Sequence, residues 1–205
     1  MTSGLFVVLE GGDGAGKTTQ VSRLEAWLRA AGRDVVVTYE PGDTRVGATI
    51  RRLLLDPETG DLAARAEALL YAADKAQHVA EVVQPALARG AVVVCDRYLD
   101  SMVAYQGAGR VLDADEVLRL GSWATGGLLP DLTVLLDVEV ARAVGQKDRL
   151  DRVEAAGTDF HERVRRHFLA LAAHDPQRYL VLDGRAPIEV VEQQIRTRVE
   201  ALLAR

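Results

Sequence analysis

Apolar residues in this chain fall into short continuous runs, separated by longer stretches in which they recur every three or four positions. The runs are Leu5 to Leu9, Val35 to Thr38, Ala91 to Cys95, Leu132 to Leu136 and Leu180 to Leu182. Short apolar runs bounded by turn residues predict strands covered on both faces, the pattern of a parallel sheet. The first intervening stretch carries Val21, Leu24, Leu28 and Ala31 as one helical stripe, stopped by Gly32. Helical spacing also predicts helices over Val46 to Leu55, Leu62 to Ala88, Ala114 to Ala124, Phe160 to Ala173 and Ile188 to Leu203. Asp56-Pro57 and the loop through Gly60 close the second of these, and Gly90 ends the third. Asp113 is the expected N-cap of the helix after it. Pro85 predicts a kink or a second segment within the long helical region. Ser101 to Tyr105 leads into Gln106-Gly107-Ala108-Gly109, and Glu139 to Val144 begins a helix that gives way to a charged stretch between Gly145 and Gly157.

Strands therefore alternate with helices five times, which predicts an α/β fold: a five-stranded parallel sheet with helices on both faces and right-handed crossovers. The pattern does not order the strands. At 205 residues the expectation is one domain spanning 1–205.

Composition narrows the function classes. The net charge of −5 argues against a general nucleic-acid binder, which neutralises phosphates with excess Lys and Arg. The single cysteine, Cys95, excludes an intramolecular disulfide and lies in an apolar run, as expected of a small core residue in a reducing compartment. Met1-Thr2-Ser3-Gly4 has no signal-peptide pattern, and no apolar run approaches the ~20 residues needed to span a bilayer. The expectation is a cytoplasmic protein without a membrane or nucleic-acid partner.

The first strand runs into Gly11-Gly12-Asp13-Gly14-Ala15-Gly16-Lys17-Thr18-Thr19, and the first helix follows. Strand, glycine-rich turn and helix is the context in which G-x-x-x-x-G-K-[ST] reads as a P-loop. The turn faces backbone N–H groups inward as an anion-binding concavity, and the helix aims its positive dipole end at the same point. Lys17 is then expected on the β- and γ-phosphates of a nucleoside triphosphate and the Thr18 hydroxyl on Mg²⁺.

Three further clusters bear on which P-loop protein this is. Asp96-Arg97-Tyr98 follows a strand, where an acid can hold Mg²⁺ opposite Thr18 and an Arg can clamp a phosphate. The stretch from Lys147 to Arg152 reads either as a solvated helix face or as a short mobile lid, over about 145–157, that closes basic groups over a phosphoryl group. Glu40-Pro41, Tyr71, Lys75 and Tyr105 could line an acceptor pocket. Asn-Lys-x-Asp, which reads guanine, is absent, and so is an ABC-type signature. What remains is a small phosphotransferase whose acceptor is itself a small molecule.

These motifs, in this order, resemble bacterial thymidylate kinase of the P-loop nucleoside monophosphate kinase family. The resemblance rests on Leu9 to Thr19, Glu40-Pro41-Gly42, Ala66 to Lys75, Asp96 to Ser101, Ala104 to Gly107, Pro130 to Thr133 and Asp151-Arg152-Val153-Glu154. It implies ATP and Mg²⁺, with dTMP as acceptor and a homodimer as the assembly. Asp13 matches a carboxylate on the acceptor's 3′-hydroxyl, Tyr71 an aromatic stacked on thymine, and Arg97 the Arg on the acceptor phosphate. Tyr105 matches the residue beneath the deoxyribose, and Lys75 stands where an Arg reads the base's O4. Ser101, Met102, Gln106, Asp151 and Glu154 complete the implied substrate set. Arg152 and Arg149 match lid cations, because the loop from Gly11 to Gly16 contains no Arg.

Three positions depart from the family pattern: Tyr39 stands where Arg precedes Glu-Pro-Gly, Lys75 replaces Arg, and Met102 replaces Ser or Asn. Lys for Arg exchanges a planar fork for a point charge. These departures keep two other readings in view: a kinase for another nucleotide or nucleoside, and a nucleotide-binding protein of low activity.

Overall fold

The computed structural model describes residues 4–140 and 151–204. Five strands form one parallel sheet: β1 (Leu5–Gly11), β2 (Val35–Tyr39), β3 (Val92–Asp96), β4 (Leu132–Asp137) and β5 (Tyr179–Asp183). Their order is β2-β3-β1-β4-β5, so the first strand is central, between β3 and β4. Side chains alternate across β1: Val7 and Leu9 pack with Leu24 and Leu28 on one face, while Phe6 and Val8 pack with Val79 and Val83 on the other. Both faces are covered, which is why β1 is apolar without a break from Leu5 to Leu9.

On the first face lie α1 (Lys17–Ala30) and α8 (Ile188–Leu203), whose Val191, Ile195 and Val199 join the same core. The other face carries α3 (Ala64–His78) with its continuation α4 (Gln84–Ala88), α5 (Leu99–Met102), and α7 (Thr158–His174). Helices α2 (Arg45–Leu55) and α6 (Ala114–Ala124) pack against α3. Asp113 caps α6 as expected, accepting from the Glu116 N–H at 2.9 Å.

Two helical regions contain π-helical segments. The region predicted to run to Ala88 passes through a π-helical segment, Val79–Val83, just before Pro85. Proline has no N–H and its ring crowds the carbonyl four residues earlier, and the wider turns accommodate both without ending the helix. The stretch after α5 also continues as a π-helical segment, Val103–Gly109, closed by the Arg110 N–H on the Tyr105 carbonyl. The helix expected from Glu139 lies outside the described residues from 141 on, as does Arg149.

Because the strands are parallel, Gly11, Tyr39, Asp96 and Asp137 end at one edge. Leu9 pairs with Asp96, and Tyr39 also pairs with Asp96. The chain leaves β1 toward β2 on one side and later crosses to β4 on the other. That reversal opens a crevice beyond the carboxyl ends of the strands, the place where open α/β sheets meet ligands. Among the described residues, no helix is long and apolar enough to cross a membrane.

Candidate active site

The glycine-rich turn leaves β1 at Gly11, where a Cβ would lie 2.4 Å from the Leu136 carbonyl oxygen. Gly16 is the N-cap of α1 in the left-handed region, with φ 91°. A Cβ at Gly12, Gly14 or Gly16 would meet no protein atom within 4 Å, so it is the backbone turn rather than packing that calls for glycine at Gly14 and Gly16. No side chain caps α1 and no acid lies in its first turn, which suits its N–H groups to an anion. Lys17 is buried, and its ammonium donates to the carbonyls of Gly11 at 3.1 Å and Gly12 at 3.0 Å. Burial, helped by Arg97, lowers its pKa to about 8. The Thr18 hydroxyl donates to Asp96 Oδ2 at 3.3 Å, and Asp96 Oδ1 is buried without a hydrogen-bond partner. A hydroxyl beside an under-satisfied carboxylate oxygen, at the foot of an anion cradle, is a donor set that fits Mg²⁺.

Asp13, in the loop, accepts from Arg97 Nη2 at 2.6 Å. Arg97 sits in the left-handed region at φ 69°, an uncommon conformation for a side-chain-bearing residue that clusters at functional sites. Its Nη1 also donates to the Gly11 carbonyl at 3.0 Å and to Ser101 Oγ at 3.2 Å, and its guanidinium lies over the Tyr105 ring. Burial opposes charge on both partners. Arg97 and Lys17 more than offset it for Asp13 and hold its carboxyl below the usual range. Tyr105 and Asp13 do the same for Arg97, whose pKa rises further. Ser101 Oγ donates in turn to Glu10 Oε2 at 2.6 Å, so Ser101 links Arg97 to a buried acid of β1.

Beside this pair opens a cleft. It is lined by Asp13, Glu40, Pro41, Tyr71, Lys75, Arg97, Ser101, Met102, Tyr105, Gln106 and Asp151, all of which the sequence proposed. Arg51, Leu55, Tyr98 and Val153 line it as well and were missed. Arg51 and Leu55 stand four apart on α2, beside the buried pair Ile50 and Leu54. That helical spacing was the available signal. Arg51 Nη1 donates to the Pro41 carbonyl at 2.6 Å, and its guanidinium lies over the ring of Tyr39.

Several proposed residues make contacts other than the implied ones. Lys75 is a buried ion-pair partner: its ammonium donates to Glu40 Oε2 and, at 2.8 Å, to the Tyr98 carbonyl. Glu40 Oε1 also pairs with His78 Nδ1 at 2.6 Å, and His78 Nε2 meets Thr38 Oγ1 at 2.6 Å. Burial works against the Glu40 charge, but Lys75 and His78 outweigh it and hold the carboxyl below its ordinary range. Asp74 behaves oppositely, because burial and the Glu40 charge raise it to about 6. Glu154 does not line the cleft. It forms a capping box with Asp151, whose N–H it accepts at 3.1 Å while Asp151 Oδ1 accepts the Glu154 N–H at 2.8 Å. Arg152, expected as a lid cation, is held by Glu67 and by the Leu54 carbonyl, and it does not line the cleft.

The family model for thymidylate kinase matches residues 9–195. The chain belongs to the thymidylate kinase family. Among its relatives, a thymidylate kinase of Cutibacterium acnes is 59% identical over 202 residues, covering 98% of this chain and 99% of that one. A thymidylate kinase of Clavibacter michiganensis is 57% identical over 206 residues, covering 98% and 97%. The crystal structure of thymidylate kinase from Ehrlichia chaffeensis superposes with a TM-score of 0.80 at 29% identity, over 97% of this chain and 99% of the other. The loop, Asp96-Arg97 and the cleft described above all fall within the matched residues of this family member.

Proposed function

We propose that this chain transfers the γ-phosphoryl group of ATP to the 5′-phosphate of dTMP, giving dTDP and ADP. The observation that carries this reading is the Asp13–Arg97 pair, which joins the triphosphate cradle directly to the lined cleft. Two anions brought to either side of that pair would meet with their phosphates adjacent. The attacking oxygen is already ionised, so no general base is needed, and catalysis is alignment plus neutralisation of spreading charge.

In this reading Gly11 to Thr19 bind the donor, with Lys17 neutralising the charge that develops on its phosphates. Arg97 grips the acceptor phosphate, and the Arg97–Asp13 bond orients both. Thr18 and Asp96 would hold Mg²⁺, which supplies Lewis-acid neutralisation of the donor phosphates when bound. Tyr71, half-buried at the cleft, stacks on the base; burial raises its phenol pKa further above neutrality. Tyr105 packs under the sugar. The lid cation of the family then falls to Arg149, which lies outside the described residues, because Arg152 is engaged elsewhere. We further propose a single kinase domain that works in the cytoplasm as a homodimer, with the exposed Leu69 of α3 in the contact; sedimentation of Leu69→Glu tests that contact.

A coupled ADP-release assay across dTMP, dUMP, dCMP, dAMP and thymidine tests the assignment. Turnover is expected to be highest with dTMP. A second reading, a changed acceptor preference, draws on the Lys75 ammonium being committed to Glu40 and the Tyr98 carbonyl. Faster turnover with another acceptor in the panel would establish it.

A further inference from the structure

One buried carboxylate outside the cleft ties three of its walls together. Glu67, in the first turn of α3, is 1% exposed and accepts from four donors. On Oε1 these are Gln106 Nε2 at 3.1 Å and Arg110 Nε at 3.0 Å. On Oε2 they are Arg110 Nη2 at 3.2 Å and Arg152 Nη2. Arg152 reaches further: its Nε donates to the Leu54 carbonyl at 3.1 Å, and its backbone N–H donates to the Leu55 carbonyl at 3.2 Å. Burial opposes charge on Glu67, and the bonds from Arg110 and Gln106 outweigh it, holding the carboxyl below its ordinary range.

Glu67 and two of its partners stand close to lining residues. Glu67 stands one turn before Tyr71, on the same face of α3. Gln106 lines the cleft itself and follows Tyr105, while Arg152 lies between Asp151 and Val153. Glu67 does not line the cleft. We propose that Glu67 is a positioning residue for the acceptor. Through Arg152 it fixes the segment after residue 150 against α2 and α3, and through Gln106 and Arg110 it fixes the π-helical segment, so that Tyr71, Tyr105 and Val153 face one another across the acceptor.

This inference rests on the dTMP kinase reading above, and steady-state kinetics separates the two. Glu67→Gln keeps an acceptor oxygen for Gln106 but turns an amide N–H toward Arg152, which leaves that guanidinium facing a donor. The dTMP KM is expected to rise by roughly tenfold or more, with kcat and the ATP KM within about twofold, the signature of lost acceptor binding rather than lost transition-state contact. Arg152→Gln should raise the dTMP KM similarly, with Arg152→Lys restoring part of the loss. The double variant should be no worse than the poorer single one, because both changes break one tie. If Glu67→Gln fails to fold, Arg152→Gln and Arg152→Lys carry the test on their own. A dTMP KM within about twofold of wild type in the variants that fold, equal rises in both substrates' KM values, or multiplying effects in the double variant would each overturn the proposal. Absence of dTMP turnover in the wild-type protein would instead overturn the functional reading beneath it.

Discussion

The proposed donor side of the crevice comes from one stretch of nine residues together with Asp96, whereas the proposed acceptor side draws on α2, α3, α5, the π-helical segment after it, and the segment that follows residue 150. Donor chemistry is local: backbone N–H groups, one ammonium and one hydroxyl, placed by a turn and the start of a helix. Acceptor chemistry depends on buried charges that meet across the chain. Glu40 with Lys75 and His78, and Glu67 with Arg110 and Arg152, are ion clusters with little access to solvent. At the donor edge, the Lys17 ammonium bonds loop carbonyls rather than a carboxylate. A charge beneath the acceptor cleft holds the fold, because an ion left unpaired in a buried site is costly.

Substitutions should therefore separate the two sides by what they change. Lys17→Ala, on the donor side, is expected to lower kcat by a hundredfold or more, on the scale of ~3 kcal/mol for one positioned donor, with the melting temperature nearly unchanged. Arg97→Ala, where the two sides join, is expected to lower kcat on the same scale and to lower the melting temperature too, because Asp13 and the buried Glu10 lose its charge. Near-normal turnover in Arg97→Ala would remove its assigned role. Glu40→Gln, on the acceptor side, is expected to cost about 3 kcal/mol of folding stability, because the buried Lys75 ammonium loses its counter-charge. Urea unfolding measures this, and a loss below ~1 kcal/mol would erase the contrast drawn between the two sides.

A smaller effect tests the electrostatics under the acceptor cleft. The folded pKa of Asp74, about 6, lies above its ordinary 3.8. The folded state therefore binds this proton more tightly, and the associated stability is full below about pH 4 and lost as pH rises through about 6. Asp74→Asn can still accept from the Gly42 N–H, which Asp74 Oδ1 now does at 3.0 Å. Relative to wild type, the variant should gain on the order of 1 kcal/mol between pH 5 and pH 7.5. A difference independent of pH would refute the raised value.

The smallest expected signal belongs to the donor side. Lys17 has a pKa of about 8 in the ligand-free protein. Triphosphate oxygens around it should raise that value, so ATP binding near pH 8 should take up a fraction of a proton. Calorimetry in buffers of different ionisation enthalpy reads the uptake, and Lys17→Met should abolish it.

How far the sequence could be read differed in the same way. Gly11 to Thr19, Asp96-Arg97 and all five strands were legible, as was α8 from Ile188 to Leu203, because each is marked by neighbouring residues. Tyr71, Lys75 and Tyr105 were legible as possible pocket residues from their chemistry and position, and the family resemblance gave each a role. Arg51 and Tyr98 were not identified: one sits in a helix that looked merely amphipathic, and the other behaves as a core residue, 1% exposed, with its hydroxyl on the Leu128 carbonyl. Arg152 looked like a lid cation because a charged stretch does not reveal which acid, eighty-five residues away, will hold it.

By itself, the sequence determined the alternation of strands and helices, the glycine-rich turn between β1 and α1, and the family. Those properties depend on hydrophobic period, backbone conformation and contiguous motifs, which act over a few residues. Only the tertiary structure decided the order β2-β3-β1-β4-β5, the joining of Asp13 to Arg97, and the commitment of Lys75 and Arg152 to buried carboxylates. A buried charge takes as partner whichever opposite charge the packed elements bring within reach, and that choice is made by distances between segments far apart in the chain.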